Sequence, residues 1–209
     1  MKTKMQQQKK CLPFIAMLFG ALLLWSNITA QKLTTIFNFT MPASIIIYPV
    51  LYTMGSLITE VYGKRTALRI TFYAIVLNLL MALTFSLAIL LPAASIYTEE
   101  SSYNLILGST PLFILASFIS FFTGEVTNIV LTVLIKKTIK LSLRLRTLIC
   151  NLAGLSIDCF IFILISFFHL SFSSLIHIAL AYYFFKVIYQ LILTIFIKPL
   201  VQLVRRLEA

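Results

Sequence analysis

Charged residues are scarce in this chain of 209 residues. Lys and Arg number 17 and Asp and Glu only 6, together 11% of the sequence, whereas 60% of the residues are hydrophobic. Soluble domains carry about a quarter charged residues and roughly 45–50% apolar residues. The low charge therefore excludes a soluble enzyme, and the high hydrophobicity excludes intrinsic disorder. The composition predicts an integral membrane protein.

Other scarce residues restrict the chemistry. Asp158 is the single Asp of the sequence, which excludes an active site built on two aspartates. An intramembrane Ser–His hydrolase needs a His at membrane depth, but His169 and His177 lie at the ends of apolar runs. The sequence has no Gly-rich phosphate loop, and its three Cys have no metal-ligand spacing, so we expect buried thiols without disulfides. We expect neither an enzyme nor a cofactor or metal.

Long apolar runs are abundant, and they predict the fold. A bilayer core of about 30 Å takes roughly 20 apolar residues as a helix. Runs of this length are too long for barrel strands, which have about 10 residues of alternating polarity. We therefore expect an all-α, polytopic membrane protein with six transmembrane helices. The six predicted spans are Cys11–Ala30, Met41–Tyr62, Ala67–Leu91, Pro111–Ile135, Leu148–Leu170 and Ser174–Ile197.

The distribution of Lys and Arg predicts the orientation. Basic residues cluster before the first span, after the second, between the fourth and fifth and after the sixth, while the other loops carry few or none. The positive-inside rule then places both termini in the cytoplasm of a cell with an inner membrane. The formal charge of +11 is thus mainly a topology signal, and we expect no nucleic-acid partner. The predicted regions are a basic cytoplasmic leader (1–10), a six-helix transmembrane domain (11–199) and a short cytoplasmic tail (200–209).

Three features of the organisation stay open at this point. The basic start, the apolar run and Ile28-Thr29-Ala30 also resemble a signal peptide, although Ile28 is a poor residue at the minus-three position of a cleavage site. We expect the first span to be retained. Three spans in each half permit an inverted repeat, as in many transporters, but no internal sequence repeat shows it. The sequence also leaves open whether the protein forms a homodimer.

Four ionisable residues lie inside the predicted spans: Glu60, Glu125, Asp158 and Lys186. An ionised side chain in the bilayer costs at least about 2.5–3.5 kcal/mol, so each needs a reason. Glu60 lies near a span end, and an ion pair with Lys64 or Arg65 at the membrane edge is the structural alternative to a functional role. The other three lie at similar depth, and we interpret them as functional.

Polar residues at helical spacing accompany these charges on four spans. The predicted stripes are Tyr48, Tyr52, Ser56, Thr59 and Glu60; Ser117, Ser120, Gly124 and Asn128, with Glu125 adjacent; Asn151, Gly154 and Asp158; and Tyr183, Lys186 and Gln190. Polar faces must turn away from lipid, so the stripes predict a shared hydrophilic interior. Small residues such as Gly154 also serve helix packing alone, but packing does not explain two carboxyls and one ammonium at one depth.

The run Tyr48-Pro49-Val50-Leu51-Tyr52 through Ile58-Thr59-Glu60-Val61-Tyr62-Gly63 closely resembles a motif of the queuosine-precursor transporter family, also called the vitamin uptake transporter family. Further segments resemble the family pattern in the same order: Ser26-Asn27 with Lys32, Phe118 to Glu125, Asn151 with Gly154 and Asp158, and Tyr183 with Lys186 and Pro199. The resemblance covers nearly the whole chain after the leader. Four positions depart from the family pattern: Ser56 and Asn128 replace acidic residues, Leu155 replaces Gln, and Cys150 replaces Ser.

The resemblance implies import of deazapurine precursors of queuosine, such as 7-cyano-7-deazaguanine, its aminomethyl relative or queuine. A carboxylate can accept the N1–H and N2–H₂ donors of a guanine-like edge, and Tyr rings can stack on a flat ligand. Our hypothesis gives this edge to Glu125 or Asp158 and the carbonyl side of the solute to Asn128 and Asn151. It gives stacking to Tyr52 or Tyr183 and charge balance to Lys186. The candidate binding residues are Asn27, Tyr52, Ser56, Glu60, Glu125, Asn128, Asn151, Asp158, Tyr183 and Lys186.

The sequence leaves open whether a carrier would be proton-coupled or passive. Two other functions compete with that of a carrier. A substrate-capture subunit of an energy-coupling-factor transporter also tends to have six helices, and Ala16 and Gly20 give a small-xxx-small pair of the kind that docks a partner. A membrane scaffold or assembly factor would leave the inward charges without a function. Solute flux through the purified protein would indicate a carrier, and solute binding without flux would indicate a capture subunit. Neither flux nor binding would indicate a scaffold.

Overall fold

A computed structural model describes residues 10–208 as an all-helical bundle with one small hairpin. The elements are α1 (Leu12–Ala30), β1 (Leu33–Ile36), β2 (Phe39–Pro42), a 3-10 helix (Ala43–Ile46), α2 (Tyr48–Tyr62), α3 (Lys64–Leu90), α4 (Glu100–Gly108), α5 (Thr110–Thr138), α6 (Leu143–Ser166) and α7 (Phe172–Glu208). The leader, except Lys10, and Ala209 lie outside the described residues.

Five helical segments are long and apolar enough to cross a membrane: Leu12–Ala30, Lys64–Leu90, Glu100–Thr138, Leu143–Ser166 and Phe172–Glu208. They correspond to the predicted first, third, fourth, fifth and sixth spans. The expectation of an all-α membrane protein is confirmed. The length of each apolar run predicted these helices. A helix of this length can cross a bilayer core with its backbone hydrogen bonds satisfied within the helix.

The second predicted span, Met41–Tyr62, is wrong as a continuous helix. Its first residues belong to β2 and the 3-10 helix, and α2 begins only at Tyr48, with Pro49 in its first turn. Proline is favoured there because its missing N–H is not needed. The 15 residues of α2 extend about 22 Å, less than a bilayer core. Ser44 and Ile45 of the irregular stretch before α2 are buried, whereas Ile46 is exposed. Non-helical backbone is tolerated at membrane depth where it is buried in protein.

A β-hairpin precedes this irregular stretch, and the hydropathy pattern gave no indication of it. Leu33 pairs with Pro42 and Ile36 with Phe39, so the turn has two residues. Phe37 and Asn38 both have positive φ, 49° and 63°. Positive φ at both turn positions is the pattern of the type I′ turns that close two-residue hairpins. The hairpin packs on α7, where Phe39 meets Phe185 edge-on with ring centroids 5.9 Å apart.

The two ends of the described chain meet on one face of the bundle, which we call the terminal face. The carboxylate of Glu208 accepts hydrogen bonds from the backbone N–H groups of Lys10 and Cys11, both at 2.9 Å, and from the Tyr62 hydroxyl at 2.6 Å. Glu208 therefore ties the start of α1 and the end of α2 to the end of α7. The hairpin lies on the opposite face, which we call the far face, because it follows the end of α1.

Two hydrophobic clusters hold the helices together. The first joins α1, α2 and α3 to α5 and the end of α7, with Phe19, Leu23 and Ile58 almost fully buried. The second joins α5, α6 and α7 to Met41 and Ile45. Because α1 contributes fully buried side chains, it packs as part of the bundle, and retention of this span stays a prediction.

Candidate functional site

A buried ion pair joins α6 to α7 in the middle of both helices. Nζ of Lys186 lies 2.9 Å from Oδ2 of Asp158, and the two side chains are 0% and 1% exposed. Removing two charges from water is costly, and a buried pair persists only where its geometry and hydrogen bonds are good. The stripes predicted on the fifth and sixth spans therefore do face each other.

Two tyrosine rings enclose the Lys186 ammonium. Its Nζ lies 4.3 Å from the ring centroid of Tyr48 and 4.0 Å from that of Tyr182. A desolvated cation over aromatic faces gains about 2 kcal/mol or more. The Tyr48 hydroxyl is 3.1 Å from Oγ of Ser117, and the Tyr182 hydroxyl is 2.7 Å from Oγ of Ser44. The irregular stretch before α2 thus helps to position a ring of the site.

Glu125 on α5 lies against the backbone of α2. A Cβ added at Gly55 would overlap the Glu125 carboxylate, so only glycine leaves room for it there. Oε2 accepts a 3.4 Å hydrogen bond from Nδ2 of Asn128, while Oε1 has no hydrogen-bond partner. Among the described residues, no Lys or Arg forms an ion pair with Glu125. Glu125 interacts electrostatically with Asp158, so the three ionisable groups form one charged centre: Glu125, Asp158 and Lys186.

A neutral hydrogen-bond network joins three helices beside the charged centre. The Ser56 hydroxyl donates to Oδ1 of Asn151 at 2.7 Å and lies 3.5 Å from Oδ1 of Asn128. These residues come from α2, α6 and α5 and are all buried. Ser56 and Asn128, two of the predicted departures from the family pattern, therefore contact each other. Two acidic residues at these positions would repel each other, whereas a hydroxyl and an amide do not.

Close packing of α5 on α6 brings Glu125 near Asp158. A Cβ added at Gly124 would lie 2.6 Å from the carbonyl oxygen of Gly154, and one added at Gly154 would lie 2.7 Å from that of Gly124. The Tyr52 hydroxyl donates to the same Gly154 oxygen at 3.3 Å, and its ring packs edge-on against Phe121. The glycines therefore set the helix separation, and Tyr52 covers the crossing point.

Several polar atoms in and beside the centre have no hydrogen-bond partner: Oε1 of Glu125, Oδ1 of Asp158, Oε1 of Gln190 and Nδ2 of Asn151. Buried polar groups are normally paired, and unpaired ones need an explanation. Three of these atoms are acceptors and one is a donor. All four side chains are at most 1% exposed, so the centre is enclosed in this conformation and offers mainly acceptors to a ligand.

The structure brings together seven of the ten candidate residues: Tyr52, Ser56, Glu125, Asn128, Asn151, Asp158 and Lys186. The remaining three lie elsewhere. Tyr183 is half-buried and, within the described residues, makes no hydrogen bond or ring contact with the charged centre. The ring beside Lys186 is that of Tyr182, four residues earlier on the same helix face. Because Tyr182 and Tyr183 both fit helical spacing with Lys186, the sequence did not separate them.

Glu60 occupies an ion cluster near the terminal face instead of the centre. Its carboxylate lies 2.6 Å from Nη2 of Arg146, 2.8 Å from Nζ of Lys136 and 3.3 Å from Nη2 of Arg205. The structural alternative of an ion pair at the span end fits this position, but the expected partners Lys64 and Arg65 were wrong. The actual partners come from α5, α6 and α7, whose convergence the sequence alone did not reveal.

Asn27 faces a small cavity beside the centre. It donates to Oδ1 of Asn78 on α3, a partner that the sequence analysis missed. The same cavity is lined by Ser117 and Phe121, and Ser117 contacts Tyr48. Ser117 and Tyr48 thus link this cavity to Lys186.

Comparison with protein families gives one match. Residues 42–199 match the family described as putative vitamin uptake transporter. The chain belongs to this family. The matched range contains α2 to α7 up to Pro199, and so all candidate residues except Asn27. No curated protein and no solved structure matches the chain.

Membership of the vitamin uptake transporter family agrees with the expectation of a non-enzyme and indicates uptake of a small molecule across a membrane. The geometry is compatible with that role. A charged, enclosed centre between four helices, with unpaired acceptors, is a place where a polar solute can replace protein–protein contacts.

Proposed function

We propose that this protein is a self-sufficient carrier that imports queuosine precursors across the inner membrane. The observation that carries the proposal is the meeting of Glu125, Asp158 and Lys186 in one enclosed centre of a vitamin uptake transporter. Charges in a membrane interior are costly, and they mark solute or ion pathways more often than they serve structure.

The unpaired atoms support a guanine-like solute. Its N1–H and N2–H₂ groups are donors that suit Oδ1 of Asp158, which has no partner. Its carbonyl oxygen suits the free Nδ2 of Asn151. Tyr48 and Tyr52 provide flat apolar walls. A ligand of this kind would satisfy groups that the protein leaves unsatisfied.

Six crossings with both termini in the cytoplasm also belong to this proposal. Glu208 contacts the start of α1, so residues 10 and 208 lie on the same face, which favours an even number of crossings between them. The five long helices alone give an odd number. We assign the sixth crossing to α2 with the irregular stretch before it, because Tyr62 reaches the terminal face. The basic residues of that face support a cytoplasmic location.

An open groove on the far face is the entrance that we assign to the solute. It has a volume of about 890 Å³ and is lined by the hairpin and by α7, including Phe39, His177, Ala181 and Phe184. Ala181 is adjacent in sequence to Tyr182, whose ring covers Lys186. A movement of the hairpin relative to α7 would connect the groove with the charged centre.

The test is uptake by the purified chain in liposomes. We expect labelled 7-cyano-7-deazaguanine to enter without any partner protein, and queuine and the aminomethyl relative to compete, while adenine and uracil do not. Asp158→Asn should reduce uptake at least about tenfold, since about 1.4 kcal/mol of lost binding suffices for that. The exposed residue Lys198 on α7 provides the control Lys198→Met, which should transport normally.

The same experiment separates the competing functions. Binding without flux would indicate a substrate-capture subunit. Against that function, Gly20 of the small-xxx-small pair is buried and packs on Leu77 of α3, with 3.6 Å between an added Cβ and Leu77 Cδ1. Neither binding nor flux, with neutral replacements changing stability alone, would indicate a scaffold.

A further inference from the structure

The charged centre has one more negative than positive charge when all three groups are ionised. Lys186 is matched by Asp158 at 2.9 Å, which leaves Glu125 without a cation. An isolated ionised carboxylate in a dry interior is strongly disfavoured, so such a group acquires a proton or a counter-charge. The enclosed centre therefore needs one additional positive charge.

The described residues around Glu125 do not supply this charge. On α5 its hydrogen-bond partner is the neutral Asn128. From α2 it meets the Gly55 backbone and the neutral Tyr52, from α6 the acidic Asp158, and Lys186 on α7 already serves Asp158. Between Leu12 and Ala30, α1 has no ionisable group. The ionisable residues of α3 are Lys64, Arg65 and Arg69 near the terminal face and the exposed Tyr73.

We propose that Glu125 binds the positive charge that accompanies the solute through the membrane. For a neutral solute this charge is a proton on Glu125, and the same group is protonated again when the empty carrier returns, so no net proton moves with the solute. For a solute with its own ammonium group, such as an aminomethyl deazapurine, the ammonium replaces the proton, which is released to the water on the far face. A proton from the terminal face then binds Glu125 for the return of the empty carrier, so one ammonium enters for each proton that leaves. This inference rests on the proposed function for its solutes, whereas the protonation of Glu125 in the empty, enclosed state rests on the geometry alone.

The position of Oε1 suits both forms. Oε1 has no partner, so it can carry a proton or accept a hydrogen bond from an ammonium without breaking any contact. Oε2 keeps its bond to Asn128. Gly55 leaves room beside the carboxylate that any larger residue would fill. Glu125 is then neutralised in every enclosed state, with a proton when the carrier is empty or holds a neutral solute and with the ammonium when it holds a charged one.

The first measurement does not depend on transport. Infrared spectra of the ligand-free, full-length protein in lipid vesicles at neutral pH should show the carbonyl stretch of a protonated carboxyl group. Glu125→Gln should remove this band. Glu99→Gln, at an exposed loop residue, should leave it unchanged. A wild-type protein without the band, or a band that persists in Glu125→Gln, would overturn the assignment of the proton to Glu125.

The second measurement is coupled flux in liposomes. The aminomethyl compound should accumulate about tenfold inside when the outside pH is one unit higher than the inside pH, because it exchanges for one proton and one pH unit equals a factor of ten in proton activity. Because this exchange moves no net charge, a membrane potential should not change the accumulation. The neutral 7-cyano-7-deazaguanine should reach equal concentrations on both sides with or without the gradient. In Glu125→Gln the accumulation of the aminomethyl compound should no longer follow the pH gradient. Equal accumulation of the aminomethyl compound by the wild-type protein with and without the gradient would contradict the exchange.

The two measurements distinguish the two proposals. A Glu125 band without flux of any deazapurine would contradict the proposed function and leave the protonation of Glu125 standing. Flux of deazapurines without the band and without a pH effect would overturn the role of Glu125 and leave the carrier standing.

Discussion

Lys186 owes its charged state in the membrane to three side chains from three elements. Asp158 supplies the counter-charge, and Tyr48 and Tyr182 supply ring faces at 4.3 and 4.0 Å. Removal of one partner from a buried pair costs more than removal of both, because the remaining charge has no compensation. The pair thus has both a structural and a functional consequence, and substitutions can separate them.

For the single substitutions Lys186→Met and Asp158→Asn, we expect a loss of about 3–5 kcal/mol in unfolding free energy each, as for other broken buried pairs. The double variant should recover a large part of this loss but no uptake, because the charge pattern of the centre is gone. Thermal unfolding in detergent and uptake in liposomes measure the two effects. Additive losses in the double variant would contradict a coupled pair, and Lys198→Met is the control on the same helix.

At the residue scale, the sequence predicted which residues are ionisable and buried better than it predicted which residues contact them. Glu125, Asp158 and Lys186 were found because an ionisable group in an apolar run is conspicuous. Tyr182 was missed in favour of Tyr183, because a shift by one residue stays within the width of a helix face. Ser44 and Asn78 were missed because neither lies on a predicted charged stripe, and their partners Tyr182 and Asn27 come from distant parts of the chain.

Helices α5 and α6 pack closely at Gly124 and Gly154, and the site depends on this contact. The carbonyl oxygen of each crossing glycine occupies the space that a Cβ on the other would need. A backbone oxygen cannot rotate away as a side chain can, so a larger residue must push the helices apart. This separation would move Glu125 on α5 relative to Asp158 on α6.

Gly124→Ala should therefore lower stability by about 1–3 kcal/mol through overpacking and reduce uptake. Gly20→Ala is the matched control, because a Cβ there would make only an ordinary 3.6 Å contact with Leu77. Melting temperature and uptake are measured for both variants in parallel. A Gly124→Ala protein as stable and active as Gly20→Ala would show that the crossing tolerates a side chain.

At the element scale, five of the six predicted spans correspond to helices because each is a long apolar run. The second span failed for a physical reason. Met41–Ile47 is as apolar as a helix, but Pro42 and the two-residue turn before it favour extended and 3-10 backbone. Hydropathy reports burial and not backbone conformation. The short helix α4 was missed because its polar start reads as a loop.

Near the terminal face, the carboxylate of Glu60 joins α2 to three other helices. Glu60 at the end of α2 contacts cations from α5, α6 and α7, and Glu208 ties in α1. The hydrophobic clusters and these two acidic residues close this face of the bundle. A carrier must open it to release a solute, so both contacts are expected to break once per cycle.

Glu60→Gln should leave Lys136, Arg146 and Arg205 close together without a compensating charge. We expect a stability loss of about 1.5–3 kcal/mol, the range for hydrogen bonds to charged groups. The loss should shrink in 1 M salt, where the screening length is about 3 Å. Thermal unfolding at low and high salt measures it, with Glu99→Gln as the control. A loss that is independent of salt would indicate packing and not charge.

The backbone N–H of Lys10 lies 2.9 Å from the side chain of Glu208. A peptide that joins residue 10 to residue 208 in a circularly permuted variant could therefore be short. The connection between α5 and α6, at 139–142, lies on the same face, because Lys136 near its start contacts Glu60. A circularly permuted gene opened there would keep every helix in its original direction through the bilayer. A reporter domain fused to the new termini would lie at the connection between α5 and α6.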